Sequence, residues 1–211
     1  MEFISKELLE YCESFSEKEE ILLKELNRET HLKVNSPRML SGPLQGRFLS
    51  FLSKMIKPKY ALEIGTYTGY SALCIAEGVV EGGKLFTIDP NEETNAFAAQ
   101  FISKSAQKEK IELVLGKAQT ILPTLKQKFD LVFIDADKKN YGLYFDLIID
   151  KVNTGGLIIA DNVLWSGKIL EERRDEETES IHQFNKKVND DTRVENILLP
   201  IRDGLMLMKR K

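Results

Sequence analysis

The sequence predicts an α/β fold: a three-layer sandwich whose seven-stranded, mostly parallel sheet ends in an antiparallel strand. From residue 60 onward, short apolar runs alternate with stretches into which helices of about 10–15 residues fit, as in βαβ units. The first five runs are largely apolar without strict alternation, as strands buried on both faces are. The last two flank a turn containing Gly204 and predict a hairpin. The runs are Tyr60–Ile64, Lys84–Ile88, Ile111–Leu115, Phe129–Ile134, Leu157–Ala160, Val194–Leu199 and Leu205–Met208.

Helices are predicted ahead of the first strand. Residues 3–32 carry two amphipathic patterns with apolar residues at helical spacing. These residues are Ile4, Leu8 and Leu9 in the first pattern, and Ile21, Leu22 and Leu26 in the second. A loop at Asn35–Arg38 precedes a third helix, which carries apolar residues from Phe48 to Ile56 and which the Lys57–Pro58 pair ends. We expect a single domain, residues 1–211, with N-terminal helices in 1–57 and the α/β core in 58–211.

The composition argues against several classes of function. The 211 residues are 42% hydrophobic and 30% charged, with a net charge of −3, which suits one sizeable folded core. The acidic balance argues against a nucleic-acid partner, which needs a basic face. No apolar run approaches the ~18 residues that span a bilayer, and the N-terminus lacks a signal pattern. We therefore expect a cytoplasmic protein with no membrane partner.

Cysteine and histidine chemistry is not indicated. Cys12 and Cys74 lack metal-like spacing, and we expect both to be free, buried thiols. His31 and His182 stand in no zinc motif. Any bound metal would therefore be held by oxygen.

A glycine-rich turn follows the first strand, in the segment EIGTYTGYS of residues 63–71. Gly65 and Gly69 allow a tight turn that brings the backbone close to a ligand at the start of the next helix. The spacing is GxxxG, whereas a dinucleotide's pyrophosphate needs GxGxxG. Glu63 would repel a pyrophosphate, but it could receive the ammonium of an amino-acid moiety. A purely structural turn stays open as the alternative.

The next two strands also end in residues suited to a nucleoside. Asp89 closes the second strand, where an acid can accept hydrogen bonds from two ribose hydroxyls. Asp89 could instead, or in addition, cap the next helix, because Pro90 suits a first helical position. The third strand ends at Gly116, and small residues there, such as Ala118, would let an adenine ring lie flat. These strand ends meet at one edge of an open α/β sheet, where ligands bind.

Acidic and amide side chains follow the fourth and fifth strands. Asp135 follows one, and Asp161 and Asn162 follow the other. If these strands are neighbours, about 4.8 Å apart, the three side chains share one small volume. Their oxygens suit Mg²⁺ or Ca²⁺ and leave positions for water and substrate. Lys138, on the turn after Asp135, could lose its proton more easily there or steady a developing oxyanion.

These segments together resemble the cation-dependent O-methyltransferase family, which includes catechol and caffeoyl-CoA O-methyltransferases. The resemblance rests on EIGTYTGYS, Asp89, FIDADKKNY and ADNVLWSGK, and it extends from about Met39 to the C-terminus. It implies the Rossmann-like fold of methyltransferases dependent on S-adenosylmethionine (SAM), with strand order 3-2-1-4-5-7-6, and a homodimer. It also implies Asp135, Asp161 and Asn162 as ligands to Mg²⁺, Mn²⁺ or Ca²⁺, and Lys138 with Asp135 as catalytic residues. The residues implied to bind SAM are Met39, Ser41, Glu63, Gly65, Tyr67, Ser71, Asp89, Ala118 and Asp137.

The implied acceptor is a small aromatic diol, such as a catechol, a hydroxycinnamoyl ester or a flavonoid. A metal could chelate two neighbouring oxygens and fix one of them against the methyl group. The segment from Met39 to Gly46 is similar to bacterial members, and the charged loop from Trp165 to about Ser180 matches no acceptor signature. The alternatives are a tRNA hydroxyuridine O-methyltransferase and a non-catalytic SAM-binding module. The missing GxGxxG disfavours a nicotinamide dehydrogenase.

Overall fold

A computed structural model of the protein describes residues 4–211 and shows strands interleaved with helices. The strands are β1 (Tyr60–Ile64), β2 (Lys84–Asp89), β3 (Ile111–Leu115), β4 (Phe129–Ile134), β5 (Val152–Ala160), β6 (Val194–Leu199) and β7 (Leu205–Arg210). The α-helices are α1 (Lys6–Ser14), α2 (Ile21–Lys33), α3 (Gly42–Ile56), α4 (Tyr70–Ala76), α5 (Glu92–Ile102), α6 (Ala118–Ile121), α7 (Tyr141–Ile148) and α8 (Glu176–Asp190). Within the described residues, the strands form one seven-stranded sheet in the order β3-β2-β1-β4-β5-β7-β6, with helices on both sides.

The sheet confirms the predicted fold class. β1, β3, β4 and β6 begin and end where the apolar runs do. β5 begins at Val152 rather than Leu157, and β7 extends to Arg210. The final strand β7 pairs antiparallel with both β5 and β6, as predicted.

Three of the helices between strands are shorter than predicted, namely α4, α6 and α7, and α7 has eight residues. α4 has seven residues, and the chain leaves it at Gly78, where an added Cβ would lie 2.1 Å from the carbonyl carbon of Ser53. Only glycine permits so close a backbone approach. α6 has four residues and passes into a 3-10 turn that contains Pro123, which has no N–H to continue a helix.

The N-terminal helices are present, but their buried faces differ from the prediction. α1 has no buried residue, and Leu8 is exposed. α2 buries Leu23, Leu26 and Thr30, whereas Ile21 is exposed. The face of α2 is therefore offset from the predicted stripe. The predicted loop at Asn35–Arg38 includes the start of a 3-10 turn, Pro37–Met39.

The buried face of α3 is largely polar, and part of its apolar face is exposed. Phe51 and Met55 are exposed. Buried Arg47 instead forms an ion pair with Glu77, which follows α4, with Nη2 and Oε1 2.5 Å apart. The ion pair and the close contact at Gly78 determine which face of α3 meets α4.

The described chain divides into two compact units, which are Lys6–Ala118 and a second unit made up mainly of Gln119–Lys211. In the first, β1, β2 and β3 pair in parallel. In the second, β4 pairs in parallel with β5, and the rings of Tyr141 and Phe145 pack edge-on against Phe184. The single domain and its boundary at residue 57 stay predictions.

Two further expectations concern the membrane and the cysteines. No helix within residues 4–211 is long and apolar enough to cross a membrane. Both cysteines are free, but only Cys74 is buried. The prediction of a buried thiol is wrong for Cys12, because it lies on α1, a helix without buried residues.

Candidate active site

The GxxxG turn of the first unit joins β1 to α4. Gly65 (φ 103°) and Gly69 (φ 87°) lie in the left-handed region that favours glycine. Tyr67 between them is also left-handed, with φ 48°, a conformation that a bulky residue keeps only where its surroundings hold it. Its backbone N–H donates to the Oδ2 atom of Asp89 at 2.9 Å, and its hydroxyl donates to the carbonyl of Asn35 at 2.9 Å. The turn is thus held at Tyr67 by Asp89 on one side and by Asn35 on the other.

Asp89 is fixed by two backbone N–H groups and does not cap α5. Its Oδ2 accepts from Tyr67 and its Oδ1 from Asn91 at 2.9 Å. The N-cap is Asn91, whose Oδ1 accepts from the N–H groups of Glu93 and Thr94 at 3.0 and 3.1 Å. The alternative role of Asp89 as the helix cap is therefore wrong. Each of its oxygens keeps a lone pair for a further donor.

Glu63 lies fully buried in β1, next to the turn. The hydroxyl of Thr87 on β2 donates to its Oε2 atom at 2.5 Å, and the same hydroxyl lies 2.6 Å from that of Thr66. This chain of buried polar groups orients a carboxylate at the carboxyl end of the first strand. Neither threonine was predicted to have a role, although Thr87 is a polar residue within the apolar part of the β2 run.

The other residues predicted to bind SAM in this unit differ in exposure. Ser71 in the first turn of α4, Ala118 at the start of α6 and Ser41 before α3 are buried. Met39 is 59% exposed on its 3-10 turn. The roles of all four stay predictions.

The second unit places the three predicted metal ligands at the ends of paired strands. Ile134 of β4 is in register with Ala160 of β5, so Asp135 and Asp161 follow a matched pair. The N–H of Asp161 donates to the carbonyl of Ile134 at 2.9 Å. Asp161 is 3% exposed, and its Oδ1 accepts from the N–H of Asn162 at 2.7 Å. The two acids are therefore neighbours, as predicted.

Lys138 is buried beside them. Its ammonium donates to the Oδ1 atom of Asp135 at 3.0 Å and to the hydroxyl of Tyr141 at 2.7 Å. Burial disfavours the charge, but Tyr141 and Asp135 outweigh burial and raise the pKa of Lys138 above its ordinary value. These contacts favour the protonated lysine, and the predicted loss of its proton beside a bound cation stays a prediction.

Two aromatic rings flank the same ammonium. The Lys138 Nζ atom lies 4.9 Å from the ring centre of Tyr141 and 5.8 Å from that of Trp165. Burial raises the pKa of Tyr141, so its hydroxyl stays neutral and donates to the carbonyl of Ile134 at 3.4 Å. Neither ring was predicted to have a role, although Tyr141 lies in the motif FIDADKKNY and Trp165 in ADNVLWSGK.

Asp137 already has hydrogen-bond partners within its own unit. Its Oδ1 accepts from the hydroxyl of Tyr144 and its Oδ2 from the amide of Asn140. The side chain is exposed. A ligand would have to use a remaining lone pair, and its predicted role in SAM binding stays a prediction.

Over residues 4–211, no group of three or more His, Cys, Asp and Glu side chains is placed to hold a metal ion. The set proposed from the sequence has two acids and takes its third oxygen from the amide of Asn162. The metal therefore stays a prediction.

Comparison with known proteins decides the family. A profile of the family described as O-methyltransferase matches residues 13–211. The chain belongs to this O-methyltransferase family. The family predicted from the motifs is thereby confirmed, and so is the prediction of an enzyme.

Known proteins are similar to this O-methyltransferase in sequence or in fold. A caffeoyl-CoA O-methyltransferase of Populus kitakamiensis is 36% identical over 201 residues, which cover 89% of this chain and 86% of that protein. The methyltransferase PaMTH1 of Podospora anserina, bound to S-adenosylhomocysteine (SAH), has a TM-score of 0.89 at 28% identity, covering 99% of this chain and 97% of its own. The O-methyltransferase TomG of Streptomyces achromogenes, in complex with SAM, has a TM-score of 0.89 at 26% identity, covering 97% and 96%.

Proposed function

We propose that this O-methyltransferase moves the methyl group of SAM to one hydroxyl of a small aromatic diol and needs a divalent cation to do so. The observation that carries the proposal is the pair of neighbouring acids Asp135 and Asp161 at the carboxyl ends of β4 and β5, with the buried ammonium of Lys138 against one of them. A protein that only bound SAM would have no need for this arrangement.

The first unit supports SAM as the methyl donor. Asp89 offers two oxygens, each fixed by one N–H group, to the two hydroxyls of a ribose. The buried carboxylate of Glu63 stands two positions before Gly65, where the turn begins, and matches the ammonium of the methionine moiety. SAM and SAH are bound in the similar proteins TomG and PaMTH1. SAM supplies an electrophilic methyl group on a sulfonium.

The second unit fits a hard divalent cation. Two carboxylates and one ammonium give the cluster of Asp135, Asp161 and Lys138 a charge of −1 in a largely buried place, and a cation would relieve the repulsion between the acids. The donors are all oxygens, as Mg²⁺ and Mn²⁺ prefer. A cation held by Asp135, Asp161 and Asn162 would lower the pKa of an acceptor hydroxyl and hold its neighbouring oxygen.

The remaining steps fall to the chain's own groups. Lys138 presents a positively charged Nζ beside Asp135 and steadies the charge that develops on an acceptor oxygen. Tyr141 accepts a hydrogen bond from Lys138 and fixes the direction of the ammonium. Trp165 shields the same ammonium from water on another side.

The relatives favour a small-molecule acceptor over tRNA. The curated relatives include caffeoyl-CoA O-methyltransferases and a tricin synthase, and no finding favours the hydroxyuridine alternative. We therefore propose a catechol-like or hydroxycinnamoyl acceptor. The homodimer and the cytoplasmic location stay predictions.

An acceptor panel with methyl-labelled SAM tests the proposal. The purified protein with Mg²⁺ is offered catechols, hydroxycinnamoyl-CoA thioesters, flavonoids and undermodified tRNA, and the labelled product is identified by mass spectrometry. We expect methylated diols and unlabelled tRNA. Label on tRNA alone would mean that the acceptor is tRNA and not a small diol. The absence of label on every acceptor would count against the catalytic proposal.

Asp89→Ala is expected to weaken SAM binding by about 1–3 kcal/mol, the cost of losing hydrogen bonds to a charged acceptor. Titration calorimetry with SAM measures the change. Asn91→Ala is the matched control, because it removes the true cap of α5. This control should lower the free energy of unfolding by about 1 kcal/mol and leave SAM affinity within a few-fold. If Asp89→Ala bound SAM as tightly as the wild type, Asp89 would not be a cofactor-binding residue.

A further inference from the structure

The segment after β5, from Asn162 to Gly167, holds an unusual backbone. Asn162, Trp165 and Ser166 have φ values of 58°, 46° and 54°, and Gly167 has 81°. For residues other than glycine the left-handed region costs energy, and such residues persist where the surrounding structure holds them. Some other part of the unit must therefore supply the holding contacts.

The turn between β6 and β7 supplies them. The N–H of Val163 donates to the carbonyl of Gly204 at 3.2 Å, and that of Leu164 donates to the carbonyl of Asp203 at 2.9 Å. The N–H of Ser166 donates to the Oδ1 atom of the Asp203 side chain. Three backbone donors of the segment are thus bound by two residues of one turn, and Asp203 is the one that uses its side chain.

Gly204 lets the turn come close enough to make these bonds. It has φ 90°, and an added Cβ would lie 2.5 Å from the Cγ atom of Leu164 and 2.9 Å from its backbone nitrogen. From the other side, the side-chain amide of Asn185 on α8 donates to the carbonyl of Val163 at 2.8 Å. The segment is therefore fixed at its start by backbone contacts, and at Ser166 by the Asp203 carboxylate.

The segment carries two groups that the proposed reaction uses. Asn162 begins it and provides the amide oxygen of the proposed metal site. Trp165 stands directly before Ser166, and its ring centre lies 5.8 Å from the Nζ atom of Lys138. Releasing Ser166 would free the left-handed turn that aims the indole.

We propose that Asp203 is a positioning residue for acceptor binding. Its carboxylate, by holding the N–H of Ser166, keeps the indole of Trp165 beside Lys138 and the segment that begins at Asn162 in one conformation. This inference rests on the proposed function, because it assumes that the acceptor binds where these groups meet. The conformational part of the inference can be tested without turnover.

Trp165 is the only tryptophan of the chain, so intrinsic fluorescence reports on this segment alone. Emission wavelength and acrylamide quenching are compared in the wild type, Asp203→Ala and Asp203→Asn, with no ligand added. The amide of Asp203→Asn keeps an acceptor for Ser166 and should restore most of the wild-type signal. Asp191→Ala is the matched control. Asp191 precedes β6 and accepts from the N–H and guanidinium of Arg193, so its loss perturbs the same unit without releasing Ser166.

We expect Asp203→Ala to shift the emission to longer wavelength and to raise the quenching constant roughly twofold, because a released loop is more accessible to solvent. Its kcat/KM for a diol acceptor should fall on the order of 10- to 100-fold, as misplaced binding groups do, while the KM for SAM stays within about twofold. Asp191→Ala should keep the wild-type fluorescence. If Asp203→Ala does not fold, Asp203→Ser takes its place. The serine side chain is shorter than that of aspartate and cannot reach the N–H of Ser166.

Wild-type fluorescence in Asp203→Ala would overturn the proposal, whatever the activity. An equal change in Asp191→Ala would overturn it too, since the change would then report general loosening. If the wild type methylates no acceptor but the fluorescence changes as described, the proposed function fails while the holding role of Asp203 stands. The two failures are thus distinguishable.

Discussion

Asp161→Ala is expected to remove both the response to divalent cations and most of the methyl transfer. Loss of a cation that contributes several kcal/mol of stabilisation at the transition state lowers kcat on the order of 10²–10³-fold. A cation that binds only the folded state adds about 2.7 kcal/mol at a hundredfold excess over its Kd. For a chain of this size, that corresponds to a rise in Tm of about 5–10 °C with Mg²⁺. The rise should be absent in Asp161→Ala.

Asp130→Ala is the control for this experiment. Asp130 lies on β4, at the other end of the strand from Asp135, and accepts a hydrogen bond from Asn153 at 2.7 Å. This variant loses a carboxylate and a hydrogen bond but should keep the full Mg²⁺ response. SAM should raise the Tm of all three proteins. If Mg²⁺ stabilised Asp161→Ala as much as the wild type, the acids at the ends of β4 and β5 would not be the metal site.

Lys138→Met is expected to lower kcat about 10²-fold while leaving SAM affinity within a few-fold. Groups that assist proton transfer or charge development contribute about 10²–10⁴-fold, and methionine retains most of the buried volume. The variant removes the donor to Asp135 and Tyr141 and keeps the metal ligands. Steady-state kinetics with a saturating diol acceptor measures the loss.

Lys139→Met separates this effect from a general loss of positive charge. Lys139 is the next residue, is exposed, and forms an ion pair with Glu176 outside the acid pair, with Nζ and Oε2 2.6 Å apart. Its kcat should stay within about twofold, because exposed ion pairs contribute little. If Lys138→Met and the wild type had equal kcat values, Lys138 would have no catalytic role.

The sequence predicted the central strands better than the helices because strands such as β1 and β4 are buried on both faces. An apolar run such as Phe129–Ile134 is then visible without knowledge of its neighbours. The early part of β5 was missed because Asn153, Thr154 and two glycines precede the apolar run at Leu157. The buried face of α2 was misplaced because Ile21 and Leu23 both fit an apolar stripe, and only packing shows which is covered.

The acid pair was predictable, but the contacts that orient the site residues were not. Asp135 and Asp161 follow recognisable strands, so their proximity follows from the order of the sheet. In the sequence Asp89-Pro90-Asn91, either polar residue suits a helix cap. Asp89 is instead fixed in part by Tyr67, 22 positions away. The hydrogen bond between Ser166 and Asp203 joins residues 37 positions apart, and no local sequence pattern predicts it.

The central claim is that a cation and a vicinal diol act together in methyl transfer. Its most direct measurement follows label from methyl-labelled SAM onto caffeoyl-CoA and onto the matched thioester that lacks one of the two ring hydroxyls, each with Mg²⁺ and with excess EDTA. We predict rapid transfer only to caffeoyl-CoA with Mg²⁺, and recovery when Mg²⁺ is restored after chelation. Equal transfer to both thioesters, or full turnover in EDTA, would contradict the account.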